Sequence, residues 1–516
     1  MTPLQRAAEA ERAGRLDEAA ALYREATRAT SDAAAWSALG RCLLRLGRWS
    51  EAAASYETAL RLAPGDADGL ANYGMALAEQ GDHERAVEAY GRALAAQPGH
   101  AVAQYNLGNA LRELRRYDDA AASYERALAL RPDWVEAHTN LGMAHARAGR
   151  TDAAIASYSR ALALRPDHAE AHNGIGLAYQ VRGEFDRALA HFDRAVIIAP
   201  DSPYAHANRA QLWLLHGDFA RGWREYEWRL RVPGHAVRPT AARRWDGSPL
   251  AGRTLLLRAE QGLGDTLQLV RFAPVLAARG ARIVLETQPA IERLVATCPG
   301  LAGVVPRGAA LPPHDFESPI ASVPRHLGLS ADTIPAGVPY LSADPALVAD
   351  AQRRIRRDGA FCVGIAWQGN PAFPQDCHRS IPLRTFAPLA RVPGVRVFSL
   401  QKGFGSEQLV TASFPIEDLG AGLDPGGGAF TDSAAAMAAL DLVIATDSAL
   451  VHVAGALARP VWTILPLAPD WRWLLGRDDT PWYPTMRLYR PRRLGGWDDL
   501  LERVARDLAA RRAGPR

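Results

Sequence analysis

The first part of the chain repeats one pattern of small, apolar and aromatic positions with a period of 34 residues. Apolar positions within each period lie three or four residues apart, which predicts a pair of amphipathic helices. Each period closes on a proline, which predicts the end of the second helix because proline cannot continue the hydrogen-bond ladder. Successive units carry the pattern at Trp36, Leu39, Gly40, Leu43, Ala52, Tyr56, Ala59 and Pro64; Leu70, Tyr73, Gly74, Leu77, Ala86, Tyr90, Ala93 and Pro98; Leu107, Gly108, Leu111, Ala120, Tyr124, Ala127 and Pro132; Leu141, Gly142, Ala154, Tyr158, Ala161 and Pro166; and Ile175, Gly176, Tyr179, Ala188, Phe192, Ala195 and Pro200.

This pattern resembles the tetratricopeptide repeat, and a degenerate further unit follows around Trp213. The resemblance implies stacked helix pairs over residues 1–230 that form a right-handed superhelix with a concave groove. Small residues such as Gly40 are expected where paired helices touch. The aromatic residue at the Tyr56 position is expected to fill the gap between neighbouring units.

An asparagine precedes the Leu-Gly position in several units, which predicts a ladder of amide side chains on one face of successive first helices. An amide offers both donors and an acceptor, so the ladder suits a peptide backbone, but it equally suits bridging between helices inside the stack. The array is similar to the repeats of O-GlcNAc transferases, whose asparagine ladder holds the acceptor polypeptide, and this favours peptide binding. The ladder consists of Asn72, Asn106, Asn140 and Asn208, with Gly174 interrupting it. His138, His172 and His206 are also in register and are expected to be packing or groove-lining residues.

After residue 230 the repeat ends, and short apolar runs begin to alternate with helical segments, which predicts βαβ units. Residues 231–252 have the Pro, Gly and Arg content of a linker. We expect a short Rossmann-like lobe over 253–345 and a second one over 346–516 that ends in a closing helix. Strands are predicted within 253–259, 281–287, 361–367, 395–401, 440–447 and 461–466, and the helix within 497–513.

The first polar turn of these lobes is Gly262-Leu263-Gly264-Asp265, between a strand and a helix. Gly262 and Gly264 allow a close approach of the backbone to a ligand, and the helix that follows directs free N–H groups towards it. Asp265 fits two interpretations, the N-cap of that helix or a general base at the floor of a cleft.

The second polar turn follows the strand at 440–447 and leads into a helix. Ser448 and the nearby backbone N–H groups suit a phosphate, and His452 lies one turn further on the same face. Asp447 would repel a phosphate, so it is assigned to hydroxyl groups of a ribose or sugar. An ordinary helix cap with a packed histidine is the alternative.

The third group lies in loops that follow strands on the same edge of the sheet as Asp447. Two cations there would suit a diphosphate leaving group, although solvated loop charges are the alternative. The group consists of Gln368, Gly369, Asn370, Arg379 and Lys402. A later aromatic cluster, Trp471, Trp473, Trp482 and Tyr483, is expected mainly to fill the interior of the lobe.

Taken together, these segments resemble the ADP-heptose:lipopolysaccharide heptosyltransferases, glycosyltransferase family nine. The resemblance is carried by EQGLGDTLQLVRFAPVL, VGIAWQGNP, RSIPL, SLQKG, LDLVIATDSALVHVAGAL and PDWRWLLGRDDTPWYPTMRLYRP. It implies a two-lobed GT-B architecture, with the first lobe on the acceptor side and the second on the nucleotide-sugar side.

The same resemblance implies roles for individual residues. It makes Asp265 the base and Arg379 a diphosphate ligand, and it gives Asp447, Ser448 and His452 to the nucleotide-sugar. The sequence departs from the family in carrying Arg379 where the family has lysine, and in a short first lobe, so part of the acceptor side is expected to come from the repeats.

These interpretations predict an inverting glycosyltransferase that needs no metal or other cofactor, takes its sugar from a nucleotide-sugar and transfers it to Ser or Thr of a polypeptide held by the repeats. A glycan- or lipid-linked acceptor, or a non-catalytic scaffold with a retired transferase, are the alternatives. The sequence leaves the base, the sugar, the acceptor and the oligomeric state open.

Composition refines this interpretation only slightly. The 516 residues have a net charge of +4, which does not favour a nucleic-acid partner, and no apolar run is long enough for a transmembrane segment. Four cysteines without metal-site or disulfide spacing, and a beginning without a signal-peptide core, lead us to expect a cytoplasmic location. Lys402 is the only lysine among 60 basic residues. The excess of arginine indicates a coding bias in which arginine replaces lysine wherever either serves. The remaining lysine is then either a chance survivor of that bias or placed where a compact ammonium group is needed, and the second interpretation is the one expected.

Overall fold

The computed structural model describes residues 2–29, 32–234, 240–356, 359–373, 375–425 and 430–513. The chain divides into two compact units, Met1–Ala178 and Tyr179–Arg516, which are considered separately below. The boundary at residue 178 lies about 50 residues before the expected end of the repeats at residue 230. The reason is that the last repeat helices form one compact unit with the sheets.

The first unit is a stack of antiparallel helix pairs, and helix α11 runs across its boundary. Its helices are α1 (Pro3–Arg12), α2 (Leu16–Ala29), α3 (Ala33–Arg45), α4 (Trp49–Leu62), α5 (Ala67–Glu79), α6 (His83–Ala96), α7 (Ala101–Glu113), α8 (Tyr117–Leu130), α9 (Val135–Arg147), α10 (Thr151–Leu164) and α11 (Ala169–Val181). The second helix of each pair ends two residues before the predicted proline, as α4 does before Pro64. The predicted helix ends are therefore confirmed.

In four pairs, from α3/α4 to α9/α10, a tyrosine ring of the second helix lies directly on a glycine of the first. A Cβ atom built on Gly74 would come within 2.8 Å of the Tyr90 ring, and one built on Gly108 within 2.6 Å of the Tyr124 ring. Tyr158 contacts Gly142 of its own repeat and Gly174 of the next repeat, so its ring fills the gap between repeats as predicted. The same contact explains why the asparagine ladder is interrupted at Gly174, because any side chain there would collide with the Tyr158 hydroxyl end.

The second unit begins with the remaining repeat helices and continues into two parallel sheets. Its helices are α12 (Phe185–Ile198), α13 (Pro203–Leu215), α14 (Phe219–Tyr226), α15 (Leu263–Leu269), α16 (Phe272–Ala277), α17 (Glu292–Val295), α18 (Val323–His326), α19 (Pro345–Ile355), α20 (Ala387–Ala390), α21 (Thr431–Ala439), α22 (Ala449–Ala456) and α23 (Trp497–Ala513). Its strands are β1 (Arg243–Arg244), β2 (Thr254–Arg258), β3 (Arg282–Thr287), β4 (Leu301–Pro306), β5 (Phe316–Pro319), β6 (Phe361–Ala366), β7 (Val395–Ser399), β8 (Glu417–Asp418), β9 (Leu442–Thr446), β10 (Val461–Ile464) and β11 (Met486–Tyr489).

The first sheet has the strand order β1-β5-β2-β3-β4 and the second has β11-β10-β9-β6-β7-β8, and every pairing is parallel. All six predicted strands and the final helix are present. The expected linker 231–252 is not only a connector, since β1 joins the first sheet and Trp245 is buried. Residues 235–239 of that linker lie outside the described residues.

Candidate functional site

A cleft of about 950 Å³ in the second unit lies at the carboxyl ends of strands from both sheets. Parallel strands bring the loops at their carboxyl ends to one edge, which is where ligands of such sheets bind. Every site residue that the sequence predicted in these lobes lines this cleft: Gly262, Gly264, Asp265, Gln368, Gly369, Asn370, Arg379, Lys402, Asp447, Ser448 and His452. The structure therefore brings together residues that are almost 200 positions apart in the sequence.

Asp265 lies in the first turn of α15, but it is not the N-cap. Gly262 holds the cap position, and Asp265, three residues later, accepts a hydrogen bond from the Gly262 N–H at 2.9 Å. Its other carboxylate oxygen pairs with Arg472. A carboxylate has about four acceptor positions, so two partners leave acceptor capacity on the cleft side. The side chain thus combines a capping contact with a position suited to accept a proton.

Arg472 is a cleft residue that the sequence reading did not identify. It lies in a short 3₁₀ helix, Trp471–Trp473, and is 6% exposed. Besides Asp265, its guanidinium contacts Asp470 at 2.7 Å and donates to the side-chain oxygen of Gln268. Burial lowers the pKa of Arg472, but the charges of Asp470 and Asp265 raise it by a larger amount. The pKa is therefore above its usual value, and the group stays cationic. Arg472 thus places a fixed positive charge beside Asp265.

Asp447 follows β9 and is held by an aromatic partner. The Trp473 indole N–H donates to its carboxylate at 2.9 Å. Burial and the neighbouring Asp470 raise the pKa of Asp447 to about 6, although Arg379, Trp473 and Arg472 act in the opposite direction. A carboxyl group with this pKa changes protonation state just below neutral pH.

Ser448 and His452 belong to the start of α22. Ser448 is the N-cap residue, and its buried hydroxyl oxygen has no hydrogen-bond partner within the described part of the chain. The His452 ring stacks on Trp473, with centroids 5.4 Å apart, and its Nδ1 lies 3.0 Å from the Tyr483 hydroxyl oxygen. Burial, followed by Arg472 and Arg271, lowers the pKa of His452 well below its usual value, so the imidazole is neutral.

Gly264 lies at a close contact between two helices, a role that the sequence did not predict. A Cβ atom at this position would lie 3.0 Å from the His452 ring and 3.5 Å from the Ala449 Cα. The glycine therefore allows α15 and α22 to approach each other closely. The close approach to a ligand that was predicted for this glycine stays a prediction.

The loop after β6 is held from behind by hydrogen bonds. The Gln401 side chain accepts from the Gln368 N–H at 3.1 Å and donates to the Gln368 carbonyl. Arg379 donates to Asp376 at 2.9 Å and to the Asp447 carbonyl oxygen at 3.1 Å. Gly369 lies directly against the Arg379 guanidinium, since a Cβ atom there would approach it to 2.6 Å. Asn370 accepts from the Ala372 N–H and closes a tight turn.

Lys402 uses its ammonium group to hold a second loop at the cleft. It donates to the carbonyl oxygens of Leu423 at 2.9 Å and Asp424 at 2.7 Å. Asp424 also lines the cleft. An ammonium group has three donors, so one is left for another acceptor.

The repeat helices of the second unit form one wall of this cleft. Gln180, Val181, Gln211 and Leu215 line it, together with Tyr226, whose hydroxyl accepts from the Gln261 amide at 2.9 Å. Neither Gln180 nor Gln211 has a side-chain hydrogen bond to another described residue. Sequence reasoning did not identify Gln180 and Gln211, because they occupy no recurring position of the 34-residue pattern.

The asparagine ladder falls partly in each unit. In the first unit, Asn140 donates to the Tyr105 hydroxyl at 2.9 Å and to the Asn109 amide oxygen at 3.0 Å, so it bridges neighbouring helices. Asn72 and Asn106 are half-buried and have no hydrogen-bond partner among the described residues. Asn208, on α13 of the second unit, is also half-buried. The bridging interpretation therefore fits Asn140, and the peptide-binding one stays a prediction for the others.

The histidines in register have a local role. His138, His172 and His206 each bond to the carbonyl oxygen of the proline six residues earlier, at 2.8, 3.0 and 2.8 Å. Each ring thus bonds to the loop that precedes its own helix, which fits a packing role. The aromatic cluster Trp471, Trp473, Trp482 and Tyr483 is buried, as expected.

The described residues include neither a membrane-spanning helix nor a cluster of metal ligands. No helix in these ranges is both long and apolar enough to cross a membrane. No group of three or more His, Cys, Asp or Glu side chains within them is arranged to hold a metal ion.

Comparison with known proteins identifies the repeats. Two models of the tetratricopeptide repeat match, one at residues 4–67, 73–134, 139–203 and 182–222 and the other at 55–88. The chain is 29% identical over 319 residues to Protein FlbA of Caulobacter vibrioides, which covers 56% of this chain and 52% of FlbA. The chain thus spans about half the length of this curated relative.

Solved structures of repeat proteins are also similar. YrrB, described as a TPR protein with an unusual peptide-binding site, is 26% identical, with a TM-score of 0.33 over 36% of this chain and 95% of YrrB. MamA of Desulfovibrio magneticus RS-1 is 25% identical, with a TM-score of 0.32 over 33% of this chain and 96% of that structure. The family models, rather than these structures, identify residues 4–222 as tetratricopeptide repeats, a kind of element that serves in protein–protein interaction.

Proposed function

We propose that this protein is a glycosyltransferase of the GT-B type, which transfers a sugar from a nucleotide-sugar to a Ser or Thr hydroxyl of a polypeptide. The observation that carries the proposal is the single cleft at the carboxyl ends of two parallel sheets, into which every predicted lobe residue falls. That position is where sheets of this kind bind nucleotides. The resemblance to heptosyltransferases supplies the reaction class.

The second sheet would bind the donor. The N-terminus of α22, the unpartnered Ser448 hydroxyl and the Arg379 guanidinium suit the diphosphate. The remaining donor of Lys402 adds charge as the diphosphate leaves. Asp447 would accept hydrogen bonds from sugar or ribose hydroxyls. If Arg379, Lys402 and the helix N-terminus supply the positive charge for the leaving group, the reaction needs no metal ion.

Asp265 would act as the general base. The acceptor hydroxyl oxygen attacks the anomeric carbon and forms the new glycosidic bond, while the bond from that carbon to the phosphate oxygen breaks. The hydroxyl proton passes to Asp265, and the nucleoside diphosphate leaves with the electron pair of the broken bond. Attack from the face opposite the leaving group inverts the anomeric carbon. Arg472 would hold Asp265 in position for this step.

The repeats support a polypeptide as the acceptor. Gln180 and Gln211 present amides to the cleft from α11 and α13, and amides can bond a peptide backbone without reading its sequence. A peptide bound by these two glutamines would thereby lie in the same cleft as Asp265. A glycan- or lipid-linked acceptor is the competing possibility. The two acceptor classes are distinguished by which acceptor receives a radiolabelled sugar.

The test combines transfer with binding. Incubating the full chain with radiolabelled nucleotide-sugars and with peptide or glycan acceptors should label peptide, and Asp265→Asn should reduce transfer at least a hundredfold. Asp332→Asn, at an exposed position of the same unit, is the matched control. Calorimetry with UDP, ADP and GDP should show one nucleotide that binds the wild type and Asp265→Asn equally. Absence of both transfer and nucleotide binding would contradict the proposal and leave a scaffold.

A further inference from the structure

A second pocket, of about 440 Å³, lies between the loop after β11 and the outer face of α23. Two turns of the helix and the loop together bring five arginines to its walls. These are Arg490, Arg492, Arg493, Arg503 and Arg506. The pocket shares no lining residue with the cleft described above.

The acidic residues of this pocket do not neutralise the arginines. Of its two carboxylates, Glu502 pairs at 3.2 Å with Arg391, which lies outside the pocket. Asp499 lies 3.8 Å from Arg493, and both side chains are more than three-quarters exposed, at 84% and 78%. Such exposed pairs contribute little.

The other four guanidinium groups have no carboxylate partner in the described part of the chain. Arg503 donates to the Arg490 carbonyl oxygen at 2.6 Å. Arg490 in turn donates to the carbonyl oxygens of Arg477 and Trp473. Arg492 and Arg506 are exposed and make no hydrogen bond or ion pair with a described residue. Four guanidinium groups thus lie around one pocket without an ion-pair partner among the described residues.

Arg490 is the most buried of these guanidinium groups and is incompletely hydrogen-bonded. Its Nη1 atom is buried and has no hydrogen-bond partner among the described residues. Burial, with a smaller contribution from Arg477, lowers the pKa of Arg490 to about 10, although Asp478 acts in the opposite direction. An anion in the pocket would compensate this guanidinium and relieve the repulsion among the others.

We propose that this pocket is a binding site for a small anion that carries two or more phosphate groups. Planar guanidinium forks match the geometry of phosphate oxygens, and bidentate arginine–phosphate pairs are among the strongest hydrogen-bonded contacts in proteins. A volume of about 440 Å³ suits a small molecule. The proposal is independent of the glycosyltransferase activity proposed above.

The test is calorimetry of the full chain with inorganic tripolyphosphate. The wild type should bind with a dissociation constant that rises steeply with added NaCl, because the contacts are ionic. The double variant R492Q/R506Q should bind at least tenfold more weakly. Both residues are exposed, so its melting temperature should match that of the wild type.

The matched control is R279Q/R293Q, which removes two exposed arginines of the same unit that line neither pocket. It lowers the net charge equally and should bind tripolyphosphate as the wild type does. Equal affinity in R492Q/R506Q and the wild type would place the anion elsewhere, the cleft included, and overturn the proposal. Equal weakening in both double variants would reduce the effect to net charge and overturn it as well, as would absence of binding to the wild type at millimolar concentrations.

Discussion

At the residue scale, Asp447 is held in a position that destabilises the folded protein at neutral pH. Its pKa is about 6 in the folded protein and 3.8 when unperturbed. Between these values the unfolded chain loses its proton while the folded chain keeps it, so the free energy of unfolding falls as pH rises from about 4 to 6. Above pH 6 the free energy of unfolding stays lower by a constant amount, about 3 kcal/mol as an upper limit.

Asp447→Asn should remove this loss. Thermal unfolding followed from pH 4 to pH 8 should show the variant more stable than the wild type at pH 8 and equal to it at pH 4, since the amide oxygen can still accept from Trp473. The same variant should lose donor binding if Asp447 contacts sugar hydroxyls. Asp332→Asn should show no such pH-dependent gain, and a constant stability difference across the pH range would refute the electrostatic argument.

Lys402→Arg tests why the chain has a lysine at this position. The ammonium group donates to two adjacent carbonyl oxygens, and a larger planar guanidinium has its N–H directions fixed, so it would displace the loop at Asp424. We expect severalfold weaker nucleotide binding or slower turnover, with little change in melting temperature, because the residue is exposed. Arg384→Lys, at another exposed position, provides the reverse exchange as a control. Wild-type kinetics in Lys402→Arg would assign the single lysine to coding bias.

The sequence predicted cleft residues wherever a polar loop follows an apolar strand, because parallel strands bring their carboxyl ends together. It did not reveal Arg472, although PDWRWLL was noted as part of a family motif. The partner of Arg472 in the first lobe, Asp265, lies 207 positions earlier, and no local pattern encodes that pairing. The N-cap assignment of Asp265 was wrong by three residues, because glycine takes the cap position and the carboxylate bonds back to it.

At the element scale, the 34-residue pattern sets helix contacts through glycine–tyrosine pairs. Gly108→Ala should destabilise the repeats by about 1–3 kcal/mol, because the new Cβ would lie 2.6 Å from the Tyr124 ring. Gly91→Ala should stabilise them by about 0.5–1 kcal/mol, because this glycine is exposed on α6 with no atom within 4 Å of its Cβ position.

Both variants make the same chemical change in the same kind of helix, so urea unfolding of the two should give shifts of opposite sign. If Gly108→Ala were as stable as Gly91→Ala, the tyrosine contact would be too adaptable to define the repeat. The helices and six strands were predicted because long periodic or apolar runs specify them. Five strands were missed: β1 and β8 have two residues, β5 and β11 have four, and β4 lies at the sheet edge with mostly half-buried side chains, so none leaves a clear apolar run in the sequence.

At the scale of the whole molecule, the second unit ties its repeat helices to the sheets through buried contacts. Arg229 pairs with Glu260 at 2.8 Å, and both side chains are almost completely buried. Trp223 packs edge-on against Trp471, with ring centroids 5.1 Å apart. Sequence periodicity placed the boundary at 230, which cuts through these contacts, since neither of them belongs to the repeat pattern.

A fragment of residues 169–516 should therefore unfold cooperatively and bind nucleotide, whereas a fragment of residues 231–516 should be strongly destabilised. Without Arg229, Glu260 stays buried with only backbone donors, and burial already raises its pKa. Removing one partner of a buried ion pair costs about 3–5 kcal/mol, a large part of the stability of a typical domain. Glu260→Gln should partly restore the shorter fragment by removing the unpaired charge, yet bring no gain to the longer one. Equal melting temperatures of the two fragments would instead show that the repeat helices contribute little to the stability of the sheets. The cleft wall that these helices supply would then have to be explained by function alone.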